Sequence, residues 1–369
     1  MRVIIVGAGI GGLSTAIALR RARHEVVVLE RAPQLEPVGA GITLFANAMN
    51  ALTWLGVADS VTAAGADARS SAILTSDGRE LTTLPPDVLA GTVAVHRGDL
   101  QAALREAAGE IHLGVEVVSV RGSPEGVSAV VADGSEQRGD LLVGADGLWS
   151  RVRAPVAPSS PRYSGYSAWR GVSPVQIEAG RLSESWGAGE RFGLVDIGSR
   201  TYWFATANAP EGQISDPSEG KAELMRRFTT WHSPIPTVLD ATPDSVILQN
   251  DVYFLDPLPR WSRGRIVLLG DAAHATTPGV GQGAALAIED AAVLGIELTQ
   301  QRSLEDSLHQ FETIRRPRAG LALKLSRQAD RAAQMTSPLG RRVRNLLVRH
   351  LPADIQRRQL EPLVRHRLP

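Results

Sequence analysis

Short unbroken apolar runs alternate with stretches of helical spacing in the first and last parts of the chain, and strand-like alternation dominates the middle. Residues 2–6 (Arg-Val-Ile-Ile-Val) read as a buried parallel strand, and 12–23 has helical spacing through Leu13, Ile17 and Leu19. Residues 25–30 (Glu-Val-Val-Val-Leu-Glu) form a second apolar run, so the chain opens with a βαβ unit. Helices are expected at 46–56, ending at Gly56, and at 98–108, opened by Gly98-Asp99. Hairpin-like segments follow around 115–131 and 139–145, and alternating strands run from about 163 to 208, with turns at Gly187 and at Gly198-Ser199. Helical spacing returns near 218–232. Strands are expected at 245–254 and 265–269, a long helix at 283–299, and helices from about 304 onward.

The order of these pieces sets the architecture. Parallel-sheet segments lie at 2–30, 139–145 and 265–269, and a strand-rich block separates the last two. The expected fold class is α/β: a cofactor domain assembled from discontinuous segments, an inserted β-sheet substrate domain and a helical C-terminus. The boundaries drawn are 1–160 with 260–320 for the cofactor domain, 161–259 for the substrate domain and 321–369 for the terminal helices. Strands near 70–95 are assigned to the substrate side.

Composition narrows the chemistry. The chain has no cysteine, which excludes disulfides, cysteine-ligated metals, thiol catalysis and a cysteinyl-linked flavin. Eight scattered histidines without an H-E-x-x-H pair give no metal site. The 39 basic and 39 acidic residues balance, so no global charge calls for nucleic acid. The exception is local: between Leu339 and Pro369, eight arginines meet only Asp354 and Glu361, as in a solvated helical face or a surface for an acidic partner or membrane. The first apolar run is too short for a secretory or membrane-spanning segment, which leads to the expectation of a cytoplasmic monomer or homodimer.

The most informative motif is Gly7-Ala8-Gly9-Ile10-Gly11-Gly12, between the first strand and the first helix. Gly7 permits the tight turn, Gly9 lets a pyrophosphate approach the backbone, and Gly12 lets helix and strand pack closely. Glu30 ends the second strand, where its carboxylate can bind ribose hydroxyls, with Arg31 beside it. That acid disfavours a 2′-phosphate, so this Rossmann-type unit suits FAD or NAD(H). A second motif, Gly270-Asp271-Ala272-Ala273-His274 followed by Pro278-Gly279-Val280-Gly281-Gln282-Gly283, joins a strand to a helix. Asp271 can hold sugar-alcohol hydroxyls, and the helix start can face the negative edge of a reduced flavin. His274 alone reads as a structural histidine. The third, Gly144-Ala145-Asp146-Gly147 with Ser150-Arg151 and Arg153, is a weaker strand-end signal.

Together these stretches, with Gly39-Ala40-Gly41-Ile42, Asn47-Ala48 and His96-Arg97-Gly98-Asp99-Leu100, resemble the FAD-dependent aromatic hydroxylases, single-component flavoprotein monooxygenases of the para-hydroxybenzoate hydroxylase fold. The match is ordered along residues 1 to about 320 and is similar to the short branch acting on salicylate-like or urate-like substrates. The resemblance implies noncovalent FAD held by Gly7, Gly9, Gly12, Glu30, Arg31, Arg97, Asp146, Asp271, Pro278, Gly281, Gln282 and Gly283. It further implies NADH or NADPH as transient co-substrate without a Rossmann site of its own. O2 would form a flavin C4a-hydroperoxide that hydroxylates or epoxidises a small electron-rich, aromatic-type substrate. One departure is Ala285, where many members carry Asn. On the substrate side, Arg191 and Trp203 are the candidates for orienting substrate, within a block that also contains Trp169-Arg170, Trp186 and Tyr202. Two alternatives stay open: another flavin oxidoreductase on this fold (a halogenase or a reductase), although the W-x-W-x-I-P stretch of tryptophan-type halogenases is absent, and a non-enzymatic flavin-binding protein.

Overall fold

The computed structural model describes residues 1–35, 40–213 and 217–369. Gly39, part of the motif read above, lies outside the described residues. The chain starts with β1 (Arg2–Val6), α1 (Ile10–Arg21) and β2 (Glu25–Glu30). β3 (Gly41–Leu44) leads into α2 (Ala46–Leu55), which stops because Gly56 takes the left-handed conformation at its end. β4 (Ser70–Thr75), β5 (Glu80–Thr83) and α3 (Arg97–Ala108) follow, α3 opening where the Gly98 N–H donates to Nδ1 of His96 at 3.2 Å. β6 (Leu141–Gly144) is a short, fully buried strand.

Four long strands come next: β7 (Arg162–Ser173), β8 (Arg181–Trp186), β9 (Glu190–Asp196) and β10 (Thr201–Asn208). Two helices, α4 (Pro217–Phe228) and α5 (Ile235–Asp240), precede β11 (Leu248–Phe254) and β12 (Ile266–Leu268). The chain ends in helices: α6 (Gly283–Thr299), α7 (Leu304–Ala333), α8 (Pro338–Arg349) and α9 (Ala353–Val364).

Two sheets organise these elements. In the first, β12, β6, β1 and β2 lie side by side in parallel, flanked by the short strands Ser262–Arg263 and His112–Leu113. Val3, Ile4, Val28, Leu142 and Val267 of this sheet are buried, as a sheet covered on both faces requires. The second sheet runs β11-β7-β10-β9-β8-β4-β5, antiparallel except for the β8–β4 pair. It draws β4 and β5 from the first third of the chain, whereas Val93–His96 instead pairs with β3 in a separate small sheet. One face of the second sheet carries Trp169, Phe192 and Trp203, packed against Leu224, Phe228, Ile235, Val238 and Leu239 of α4 and α5. The opposite face looks toward the parallel sheet, and the space between the two sheets holds the site.

Candidate flavin site

The turn after β1 is built by sterics. Gly7 sits at φ +102, and a Cβ there would lie 2.4 Å from the Ala145 carbonyl oxygen. A Cβ on Gly12 would lie 1.9 Å from the Gly7 carbonyl oxygen, so α1 can pack against this turn only with glycine at position 12. Gly9 differs. A Cβ there would meet no protein atom within 4 Å, because Gly9 faces the cleft. The loop therefore presents open backbone at the start of α1, where free N–H groups and the helix dipole favour an anion.

The cleft, about 520 Å³, is lined on one side by Gly9, Gly11, Arg97, Gly147, Asp271 and Pro278, and on the other by Ala168, Arg170, Val195, Tyr202, Phe204 and Thr206. An adjoining cleft takes in Ala8, Glu30, Ala32 and Gln101 and shares Gly9, Ile10 and Arg97 with the first, so the two form one elongated groove. Glu30 is fixed at the outer end: its carboxylate accepts from the Ala8 N–H at 2.7 Å and the Ala32 N–H at 2.9 Å. Arg97 stands where the two clefts meet. Burial lowers its guanidinium pKa, and the nearby Asp271 carboxylate offsets part of that. At the inner end Gly281 adopts φ +65, and the start of α6, with Gly283, Ala284 and Ala287, lines the wall. An elongated groove with an acid at one end, an arginine midway and two helix N-termini along it suits a dinucleotide carrying a diphosphate.

The structure moves several expected residues off the groove. Gln282 turns inward: it is fully buried, and its Oε1 accepts from Asn47 Nδ2 at 2.9 Å. Arg31 is exposed and borders a different depression, next to His112 and Gly114. Asp146 caps the turn that follows it, accepting from the N–H groups of Arg151 (2.8 Å) and Val152 (3.2 Å), while its neighbours Gly147 and Leu148 line the cleft. His274 is buried with its ring against Trp261, and its Nε2 meets Asp290 at 2.5 Å, a structural placement. Ala285 is buried and does not line the cleft.

Both substrate-side candidates are corrected. Trp203 faces the helices, stacked on Phe192 with centroids 5.5 Å apart and donating through Nε1 to Thr242 at 2.9 Å. Strand alternation explains this: on β10 the cleft face belongs to Tyr202, Phe204 and Thr206, one residue out of phase. Arg191 is on the cleft side of its strand but is buried behind Thr206. It donates to Thr206 Oγ1 (3.1 Å), Asp330 (3.0 Å) and Glu184 (3.4 Å), and these fix its guanidinium within the wall. Polar residues lining the cleft on the side of the second sheet include Arg170, Thr206, Asn250 and Asp251, with Arg170 Nη1 3.4 Å from Asn250 Oδ1. Arg170 is recognisable in the sequence only as one member of an aromatic-rich strand, and Asn250 carries no local signal.

A buried charge cluster missed by the sequence reading braces the groove. Glu289 accepts from Asn47 Nδ2 (2.6 Å), Arg315 Nη1 (2.6 Å) and Arg318 Nη2 (2.6 Å). Asp290 accepts from Arg315 Nε (2.7 Å) and the Gly270 N–H (3.0 Å). Burial opposes ionisation of both acids. Arg315 and Arg318 around Glu289, and His274 and Arg315 around Asp290, outweigh it and hold both carboxyls below their usual range. Through Gly270 on one side and the Asn47–Gln282 pair on the other, this cluster ties both inner loops of the groove to α6 and α7.

Comparison with known proteins matches residues 1–326 to the family described as FAD binding domain. The chain belongs to this family. Its relatives are FAD-dependent monooxygenases and hydroxylases, and it belongs with them. It is 44 % identical over 365 residues to the aurachin C monooxygenase/isomerase of Stigmatella aurantiaca, covering 96 % of this chain and 95 % of the relative. It is 35 % identical over 370 residues to the 2-heptyl-3-hydroxy-4(1H)-quinolone synthase of Pseudomonas aeruginosa, covering 97 % and 96 %. The structure of HpxO from Klebsiella pneumoniae, complexed with FAD and uric acid, superposes with a TM-score of 0.92 at 28 % identity, covering 98 % of this chain and 96 % of that one. The flavoprotein family expected from the glycine motifs is therefore the family found, and its α/β cofactor fold is the fold observed.

Proposed function

We propose that this FAD-dependent monooxygenase takes electrons from NADH or NADPH and one oxygen atom from O2 to hydroxylate a small, oxygen-substituted N-heteroaromatic substrate. The groove between the sheets carries this reading: its outer part has the acid, arginine and open glycine backbone that fit FAD, and its inner part opens onto an aromatic sheet face. Gly9 and the start of α1 would hold the pyrophosphate and Glu30 the ribose. Arg97, Asp271 and the loop through Pro278, Gly281 and Gly283 would hold the ribityl chain and the ring. Bound there, FAD supplies the redox chemistry and activates O2.

The remaining work falls to this chain's own side chains. Tyr202, Phe204 and Val195 present an apolar wall that would pack against a flat ring and exclude water. Tyr202 is held rigidly: a Cβ on Gly41 would lie 2.4 Å from its ring, so the ring lies directly on that glycine. Burial pushes the Tyr202 phenol above its ordinary value, so it stays protonated at neutral pH. Arg170, with Asn250 beside it, would hold an oxygen substituent of the ring and favour its anionic form. Names of the relatives fit this chemistry: urate and 6-hydroxynicotinate, on which two of them act, and 2-heptyl-3-hydroxy-4(1H)-quinolone, which a third makes, are all oxygen-bearing N-heterocycles.

A screen of such heterocycles tests the proposal, reading substrate-stimulated NAD(P)H oxidation together with product mass. The expected result is a product one oxygen atom heavier than its substrate. NAD(P)H oxidation that no heterocycle stimulates, in protein with full FAD content, would refute the substrate class. A halogenated or doubly reduced product would move the enzyme to another flavin chemistry.

A further inference from the structure

α8 is amphipathic in the reverse of the usual sense. A surface helix normally turns its apolar stripe inward. Here the inward side carries Arg344, which is buried, lies 5.1 Å over the Trp186 ring and donates to the carbonyls of Ala332 (3.0 Å) and Ala333 (3.4 Å). Leu339, Val343, Leu346 and Leu347, spaced at i, i+4, i+7 and i+8, point outward at 72 %, 49 %, 60 % and 66 % exposure. Ile355, in the first turn of α9, is also exposed. Arg342 and Arg349 are exposed beside the apolar row, and α8 contains no acidic residue.

We propose that α8 docks the protein onto the surface of an anionic lipid bilayer, burying Leu339, Val343, Leu346 and Leu347 among the acyl chains and setting Arg342 and Arg349 among the headgroup phosphates. An outward apolar row flanked by arginines is the pattern of a helix lying in a membrane interface. A second copy of the chain fits this surface poorly. A two-fold dimer would set the patch against itself, bringing arginine rows together with no carboxylate on α8 to neutralise them. No helix among the described residues is long and apolar enough to cross a membrane, so the contact is peripheral.

The docking face is mechanically joined to the groove. Gln334, just after α7, donates to Thr206 Oγ1 at 2.9 Å, Thr206 lines the cleft, and α8 begins at Pro338. Docking would hold the enzyme at the bilayer surface, where a heteroaromatic with an apolar tail would partition. This consequence rests on the proposed substrate class; the docking itself does not.

Vesicle flotation of the full-length FAD-loaded protein tests the docking without substrate. The protein should float with phosphatidylcholine vesicles containing phosphatidylglycerol and bind pure phosphatidylcholine at least about tenfold more weakly. The double variant Leu346→Glu/Leu347→Glu should stay at the bottom of the gradient, with wild-type FAD content and melting temperature because both side chains face water. Arg342→Glu/Arg349→Glu should weaken binding about tenfold or more. Three outcomes would overturn the proposal. One is a wild-type protein that ignores both vesicles. Another is binding that survives the leucine double variant, which would mark adsorption through arginine alone. The third is a dimer, seen by sedimentation, that the leucine variant dissociates while vesicles never bind.

Discussion

Gly9 and Gly12 stand three residues apart at the start of α1, yet alanine should act on them in opposite ways. At Gly9 the backbone is at φ −71, ψ −176, a region open to alanine, and the added methyl touches no protein atom. Gly9→Ala should therefore leave the flavin-free protein as stable as wild type, or more stable by about 0.4–1 kcal/mol, because alanine restricts the unfolded chain. At Gly12 the methyl would lie 1.9 Å from the Gly7 carbonyl oxygen, so the turn between β1 and α1 must open. Overpacking against backbone in a tight core costs about 3 kcal/mol or more. At roughly 2–4 °C per kcal/mol, the apoprotein melting temperature should rise by up to about 4 °C for Gly9→Ala and fall by roughly 6–12 °C for Gly12→Ala.

Flavin affinity should separate them again. The Gly9 methyl would occupy the space where backbone N–H groups meet a diphosphate, and a charge-assisted hydrogen bond is worth about 1.5–3 kcal/mol, or ten- to a hundredfold in affinity. Thermal melts of both apoproteins, with FAD titration followed by flavin fluorescence, read the two effects independently. Saturating FAD should raise the wild-type melting temperature, as any ligand of the native state does, and should do so much less for Gly9→Ala. A Gly9→Ala apoprotein that melts as low as Gly12→Ala, or that binds FAD like wild type, would refute the close approach of the diphosphate to Gly9.

Asp271→Ala should weaken FAD binding about ten- to a hundredfold, measured by equilibrium dialysis of the apoprotein. Arg170→Ala should raise the KM of an oxygen-substituted heterocycle with FAD content unchanged, whereas a role in the cofactor site would show as lost flavin. Arg191→Ala should lower stability by about 3–5 kcal/mol in denaturant titration, because Asp330 and Glu184 would lose their buried partner. The Glu289–Asp290 pair makes acid stability a further test. Their carboxyls lie below the unfolded values of 4.5 and 3.8, so their contribution is fully present above about pH 5 and is lost as the pH falls through the lower folded values. Arg315→Met should remove much of that contribution, seen as a smaller drop in melting temperature between pH 5 and pH 3.

The parts of this molecule readable from sequence are those whose causes are local. The β1–α1–β2 unit announces itself because one contiguous stretch must supply the strand, the glycine turn, the helix start and the acid at its fixed distance. The loop from Gly270 to Gly283 is legible for the same reason. Secondary structure in the strand-rich block is also legible, since alternation is local. Which side of a strand faces the cofactor is not local: it depends on which layer covers each face. Trp203 and Tyr202 are adjacent and both aromatic, and only the packing of α4 and α5 on one face of the sheet decides that Tyr202 meets the cleft.

Arg191 and the Glu289 cluster show the same limit in charge. An arginine before an apolar strand has the same sequence signature whether it meets a ligand or a partner more than a hundred residues away, and here the partner is Asp330. Glu289 and Asp290 interrupt an apolar stretch of α6, a pattern that demands compensation, since burying two carboxylates unpaired would be prohibitive. Their compensation, Arg315 and Arg318, comes from the next helix, and its effect reaches forward to Gly270 and Gln282, the loops that would grip the flavin. That coupling makes sense of the C-terminal third of the protein. Its helices contribute few residues to the groove walls, yet α7 fixes both inner loops through buried charge, and Gln334 joins the sheet wall to α8. Loops that grip a cofactor do so best when they are held in place before it arrives, and here the buried charge that holds them comes from helices outside the motifs that would touch it.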